Sequence, residues 1–405
     1  MKAMATQLVP DVAIPCSLAE GLRGFVGECH SDCLVGTLLL KGDRIGGLIR
    51  GDSTSATKLL FPAPVESHAH LDKCHTIDRM QFTGGDLSAA LEAQRADKDN
   101  WTEEDLRTRA TRGLTEASSA GCKAIRSHVD WGQESSAPLA WSVFLEMAQD
   151  TKLHLQLAAL TGIDQLADPA FASKVSKQIP SGHALGSFVL NHTRTREGIL
   201  NAFKTAADRG LALDFHVDET TDPSSNGLEI IADIALETGH KGPILCGHAV
   251  SLASQPDEVR KRIIDKLARA GIFIVSLPTT NLYLQGRAGS VPAARGITPI
   301  NELRDMGVQV VIGTDNVRDA FCPVGRHDPV RALELAVLAS HLDPPLDLWL
   351  PAITTTAGDA IGLSSPSLQD APLSEFRIAD ASDLSILVSG AAHRPATTLL
   401  KELTR

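Results

Sequence analysis

Eight short β-rich runs, each followed by a segment with helical spacing, recur through the middle of this chain, and that rhythm restricts the folds open to it. The runs are Ala63–Ser67, Lys123–Ser127, Leu153–Ala159, Ala184–Leu190, Leu211–Phe215, Pro243–Gly247, Ile272–Leu277 and Val308–Gly313. Between them, sets such as Leu228-Ile231-Ile234-Ala235 and Val259-Ile263-Ile264-Leu267 repeat at helical spacing and are long enough to cross over between parallel strands. Strand–helix alternation predicts an α/β protein, and eight units predict a closed (β/α)8 barrel. A doubly wound open sheet would carry a glycine-rich phosphate loop after its first strand; Ser67-His68-Ala69-His70 stands there instead.

The chain has 405 residues, more than the ~250 of a typical barrel. Residues 1–60 break the alternation, and Cys33–Leu40 and Asp43–Ile49 read as strands joined by turns. Beyond residue 366 the run Asp383–Val388 also reads as a strand. The two ends are therefore expected to meet in one small composite β domain, 1–60 with 366–405, beside a barrel of residues 61–365.

A formal net charge of −11 and the lack of any long basic run argue against nucleic-acid polymer as a partner. With 43% hydrophobic and 21% charged residues the chain can bury a large core. Its start has no apolar stretch long enough for a signal segment, and no later stretch suits a membrane span. The seven cysteines are scattered without a disulfide framework. Together these features predict a cytoplasmic enzyme with reduced thiols.

The chemistry gathers at the ends of the runs. In Ser67-His68-Ala69-His70 the two histidines are two residues apart, so strand alternation points both imidazoles inward. Three further candidates stand where runs end: His216 after Phe215, His248 after Gly247, and Asp315 just past Gly313. Barrel active sites are built at that rim. Imidazoles with a carboxylate suit one divalent metal ion, Zn²⁺ or Fe²⁺, with Mn²⁺ also fitting, whereas Mg²⁺ and Ca²⁺ call for more oxygen. Glu219, three residues past His216, is placed to shuttle protons beside such a cation.

These residues carry a resemblance. Val65-Glu66-Ser67-His68-Ala69-His70-Leu71-Asp72, Arg126-Ser127-His128-Val129-Asp130, His216-Val217-Asp218-Glu219, Leu284-Gln285-Gly286-Arg287 with Arg295-Gly296-Ile297-Thr298, and Asp315-Asn316-Val317 resemble the amidohydrolase superfamily, in its cytosine deaminase-like branch. The resemblance implies a mononuclear site with His68, His70, His216 and Asp315 as ligands. It implies that His248 contacts the metal-bound hydroxide and that Glu219 transfers its proton. Asn191 and His192 follow the fourth run, where binuclear relatives place a bridging lysine. The implied reaction is attack of hydroxide on an amidine-like ring carbon, with Asp315 taking the water proton and ammonia leaving. The implied partner is a small N-heterocycle, and the implied assembly a homo-oligomer.

The pocket departs from that branch. Thr161 or Gly162 stands where its pyrimidine-binding glutamine is expected, and Phe321 where it stacks a tryptophan. Asp72-Lys73-Cys74-His75 resembles triazine-processing relatives. Lys73, Thr161, Gln285, Asn316, Asp319 and Phe321 are thus the candidate substrate-binding residues, for a relative of cytosine rather than cytosine itself. Two readings stay open beside deamination: hydrolysis of a cyclic amide or N-alkylamino group at the same site, and a catalytically silent binding protein on the same fold.

Overall fold

The computed structural model describes residues 6–51, 55–80, 86–287, 295–364 and 367–403. The first and last residues of the expected terminal domain, with its boundary at 366, lie outside them. The N-terminal strands are β1 (Thr6–Pro15), β2 (Glu28–His30), β3 (Cys33–Lys41), β4 (Arg44–Ile49) and β5 (Lys58–Pro62). The central strands are β6 (Val65–Ala69), β7 (Ala124–Asp130), β8 (His154–Gly162), β9 (Ala184–Val189), β10 (Ala212–Val217), β11 (Ile244–His248), β12 (Phe273–Ser276) and β13 (Gln309–Ile312). β14 (Phe376–Ala379) and β15 (His393–Pro395) follow.

Strands β6 to β13 pair in sequence order into one eight-stranded sheet, and each pair is parallel. The sheet curls until its first and last strands meet. Ala69 bridges to Asp315, and the Asp315 amide donates to the His68 carbonyl at 2.9 Å. Each of the eight runs read from the sequence overlaps one of these strands, and the barrel is the (β/α)8 type.

Alternation explains the layers. Leu213, Phe215 and Val217 turn outward and share a buried core with Ile231, Ala202 and Phe203 of the surrounding helices. Asp214 and His216, between them in sequence, turn inward. At the floor, Ala357, Ala360 and Ile361 pack on Val65, Leu245 and Val311.

Three successive crossover helices stop in the same way. Thr195–Arg209, Gly227–Thr238 and Asp257–Ala270 end at Gly210, Gly239 and Gly271, whose φ values are 64°, 60° and 64°. Only glycine adopts this left-handed conformation without strain, so each helix ends sharply and the chain re-enters the sheet within a few residues.

The remaining strands form a seven-stranded sheet ordered β15-β14-β5-β1-β3-β2, with β4 also on β3. It draws on both ends of the chain. The expected strand at Asp383–Val388 is instead a short helix, Leu384–Val388. Asp383 caps it by accepting from the Ile386 amide at 3.0 Å, and Leu384, Leu387 and Val388 are buried while Ile386 faces outward. That spacing is helical; β14 and β15 supply the C-terminal strands. Among the described residues no helix is long and apolar enough to cross a membrane.

Two glycines test this reading of the backbone. A Cβ at Gly239 meets nothing within 4 Å, so Gly239→Ala adds only left-handed strain, about 1 kcal/mol. A Cβ at Gly198 would press into the Ile163 carbonyl oxygen. Urea unfolding should therefore show a small loss for Gly239→Ala and a clearly larger one for Gly198→Ala.

Candidate metal centre

Strand β6 turns Glu66 and His68 inward, and His70 follows at its end. His68 Nε2 and His70 Nε2 each lie 3.1 Å from His216 Nε2 of β10. Asp315 Oδ1, past the end of β13, lies 3.2 Å from His70 Nε2 and 3.5 Å from His68 Nε2. All four side chains are buried. Burial holds the His70 and His216 imidazoles well below their ordinary pKa, so these rings are neutral and nitrogen faces nitrogen. Burial alone would raise Asp315, but His68 and His70 beside it hold its carboxylate well below the usual range. Yet neither Asp315 oxygen makes a hydrogen bond among the described residues. Ring nitrogens that converge beside a buried anion are what a divalent cation satisfies, so the donor set fits one.

The walls around this cluster are shaped for it. A Cβ on Gly247 would stand 2.7 Å from His68 Cε1, so the glycine in β11 makes room for the ring. Glu66 accepts from the His68 amide at 3.0 Å and the Thr314 amide at 3.1 Å, tying the first strand to the last. Below lies a buried set: Arg126 donates to Asp214 Oδ2 at 2.8 Å, and His128 Nε2 is 2.9 Å from Asp214 Oδ1. Burial opposes the charge on Asp214, but His128 and Arg126 keep it ionised. The His128 ring centroid is 4.1 Å from that of His68, and His128 can join His68, His70 and His216 as a fourth nitrogen donor.

Glu219 is buried in the loop after β10. Burial, and then the Asp315 charge, push its carboxyl well above the usual range, so it can carry a proton. Its Oε1 is 3.4 Å from His248 Nδ1, which also lies 3.2 Å from Asn281 Oδ1. Burial lowers His248 to about 4, leaving a neutral ring whose Nδ1–H can donate while Nε2 is unpaired among the described residues. His248 and Asp315 have φ values of 70° and 60°, a strain that the surrounding contacts hold in place. A separate group lies at the side of the barrel: Glu116 bridges His75 at 3.3 Å and His327 at 3.2 Å, with Arg112 at 3.7 Å. That arrangement clamps the loop after β6 to the loop after β13.

The profile of the amidohydrolase family matches residues 84–366. A pterin deaminase of Rhizobium rhizogenes is 35% identical over 340 residues, 82% of this chain and 76% of that protein. The chain belongs to the amidohydrolase family. An N-isopropylammelide isopropyl amidohydrolase of Pseudomonas sp. is 23% identical over 82% of each chain. The fold matches that of 5-methylcytosine deaminase from Klebsiella pneumoniae with a TM-score of 0.78, at 24% identity over 96% of this chain and 95% of that one. As a family member the protein is a hydrolase of non-peptide carbon–nitrogen bonds.

In this amidohydrolase a cavity of about 220 Å³ opens onto His70, His216, Glu219 and His248. Lys73, Thr161, Asn316 and Phe321 line it, whereas Gln285 and Asp319 are absent from its walls. Gln285 instead donates to the Glu219 carbonyl at 3.1 Å. Asp319 accepts from Asn316 Nδ2 at 2.7 Å and from the Phe321 and Cys322 amides, shaping the loop that carries both lining residues. Lys73 is held charged by Asp130, 2.8 Å away, and lies 5.3 Å from the Phe321 ring centre. Sequence reasoning missed the roles of Arg126, His128 and Asp214. Their two-residue spacing within Arg126-Ser127-His128 and Asp214-Phe215-His216 was the available signal.

Gly247→Ala should displace His68 and weaken zinc binding by at least about tenfold, with the circular dichroism spectrum unchanged. Chelation should lower the thermal midpoint of the wild type and have less effect on the variant. Unchanged zinc affinity in Gly247→Ala would remove His68 from the ligand set.

Proposed function

We propose that this amidohydrolase releases ammonia from an amino-substituted N-heterocycle, with pterin-type rings as its substrate class. The observation that carries this reading is the placement of Glu219: a buried carboxyl beside His248, in the same small cavity as the histidine cluster. The relative named as a pterin deaminase, 35% identical over most of this chain, supports the ring class. The cavity, about 220 Å³, is smaller than the ~300–1,000 Å³ of larger ligand sites, which suits one or two fused rings.

His68, His70, His216 and Asp315 would hold the cation, with zinc or ferrous iron best matched to their mixed nitrogen and oxygen donors. A divalent cation there supplies Lewis acidity and lowers the pKa of water towards ~7. Asp315 accepts the proton that water loses on attacking the ring carbon. Glu219 protonates the adjacent ring nitrogen, then takes the hydroxyl proton of the tetrahedral carbon and carries it to the departing amine. The carbon–nitrogen bond breaks, ammonia leaves, and the ring keeps the oxygen as a carbonyl. His248, fixed through Nδ1 by Asn281, presents its unpaired Nε2 to orient the attacking water. Phe321 offers an apolar face to the ring, and Asn316 a polar edge.

Removal of an N-alkylamino group is a second reading, favoured by the 23% identical N-isopropylammelide amidohydrolase. The same side chains would then release an alkylamine. The test is ammonia release from pterin, cytosine, aminotriazines and N-isopropylammelide by protein loaded with zinc, ferrous iron or manganese. Pterin should yield ammonia, and Glu219→Gln should lower kcat by about 10²–10⁴ with full metal content. Isopropylamine from N-isopropylammelide, with no ammonia from pterin, would replace the first reading by the second. No product from any ring with metal bound would sink both.

A further inference from the structure

One polar side chain in the cavity wall has no task in the chemistry described so far. The helix Leu87–Asp97 lies over the barrel mouth and presents Leu87, Leu91 and Gln94 to the cavity. Their spacing, i, i+4 and i+7, is one helical face, and the first two positions are leucine. The third is a glutamine, 2% exposed. Among the described residues, neither its Oε1 nor its Nε2 has a hydrogen-bond partner, and both atoms are buried.

Other glutamines of this protein show the contrast. Gln156, 6% exposed, accepts from Arg126 and donates to the Gly182 and Ile361 carbonyls. Gln255, 9% exposed, donates to the Ser225 carbonyl. A buried carboxamide without partners is destabilising, because folding removes its water and returns nothing. A leucine would continue the apolar face that Leu87 and Leu91 begin. Ligand cavities place a few such polar groups in otherwise apolar walls to orient what they bind.

The chemistry of the group defines what it matches. A carboxamide holds one acceptor and two donor hydrogens at the end of a flat fork. Its complement is a ring edge with N–H beside C=O, the lactam edge. We propose that Gln94 recognises the lactam edge of the substrate, donating from Nε2 to the ring carbonyl and accepting the ring N–H at Oε1. Gln94 is thus a specificity-determining residue that selects oxo-substituted rings over amino rings lacking the N–H and C=O pair. This rests on the reading of the cavity as a deaminase site, and it separates recognition of one ring edge from the reaction at another. Sites built around such paired hydrogen bonds discriminate strongly, because an analogue lacking the partners leaves buried polar groups unmatched.

The experiment compares wild type and Gln94→Leu on pterin, 3-methylpterin, which lacks the N–H, and 2-aminopteridine, which lacks the carbonyl. Calorimetric binding of the three rings to each protein is measured alongside turnover. Wild type should favour pterin over both analogues by at least about 100-fold in kcat/KM. Gln94→Leu should bring the three within about tenfold, chiefly through a higher KM for pterin, with metal content unchanged. It should also raise the thermal midpoint, since it removes an unmatched buried amide and extends an apolar face. A variant that keeps the wild-type preference, in turnover and in binding, would overturn the proposal while leaving the deaminase reading intact. Wild type that binds pterin in preference to the analogues without releasing ammonia would end the deaminase reading alone, and loss of that preference in Gln94→Leu would still support the recognition. Equal binding of all three rings by wild type would overturn the role of Gln94.

Discussion

The seam where the last barrel strand meets the first is the contact on which the rest depends. The Asp315 amide donates to the His68 carbonyl, and Glu66 accepts from both the His68 and the Thr314 amides. These bonds close the sheet into a barrel. They also fix the backbones of two residues whose side chains converge on the cluster, so closure and site geometry rest on the same few atoms. Burial raises Glu66 to about 7, and the two amides pull the other way by favouring its charged form.

The interior below the seam departs from the usual barrel core of branched apolar side chains. Arg126, His128 and Asp214 fill it, none measurably exposed. Removing one partner from such a buried pair costs about 3–5 kcal/mol, because the other charge is left uncompensated. The arrangement therefore resists piecemeal change. It places a fixed negative charge on Asp214 under His128, and His128 against the His68 ring. The larger apolar core lies outside the strands, between sheet and helices, and a smaller one closes the floor, so the polar layer between floor and rim is left free for chemistry.

Much of this was legible in the sequence because two periods dominate it. The eight β-rich runs correspond to β6 through β13, and the His68–His70 spacing with His216, His248 and Asp315 at run ends marked the rim where the structure brings these side chains together. Local pattern misled at Asp383–Val388, where a five-residue stretch, apolar but for Ser385, satisfies either period and the Asp383 cap decides for helix. Asp319 and Gln285 were legible as polar residues near the rim, but their hydrogen bonds turn them to the loops behind the cavity. Gln94 was invisible: nothing in its helix distinguishes a buried carboxamide from a solvated one, since the difference arises only when that helix is laid over the barrel mouth.

The repeated left-handed glycines have a consequence for how this molecule can vary. Gly210, Gly239 and Gly271 return the chain to the sheet so promptly that the end of the barrel away from the cluster has little slack at these three crossings. At the opposite end the chain runs from Ala69 through two short helical turns and the Leu87–Asp97 helix before it returns. One rim behaves as a stiff floor that keeps the strands in register, and the other as a ceiling that can be rebuilt. A change of preferred ring could thus come from rewriting the ceiling alone, while the floor keeps the histidine cluster and Asp315 pointed at the same place.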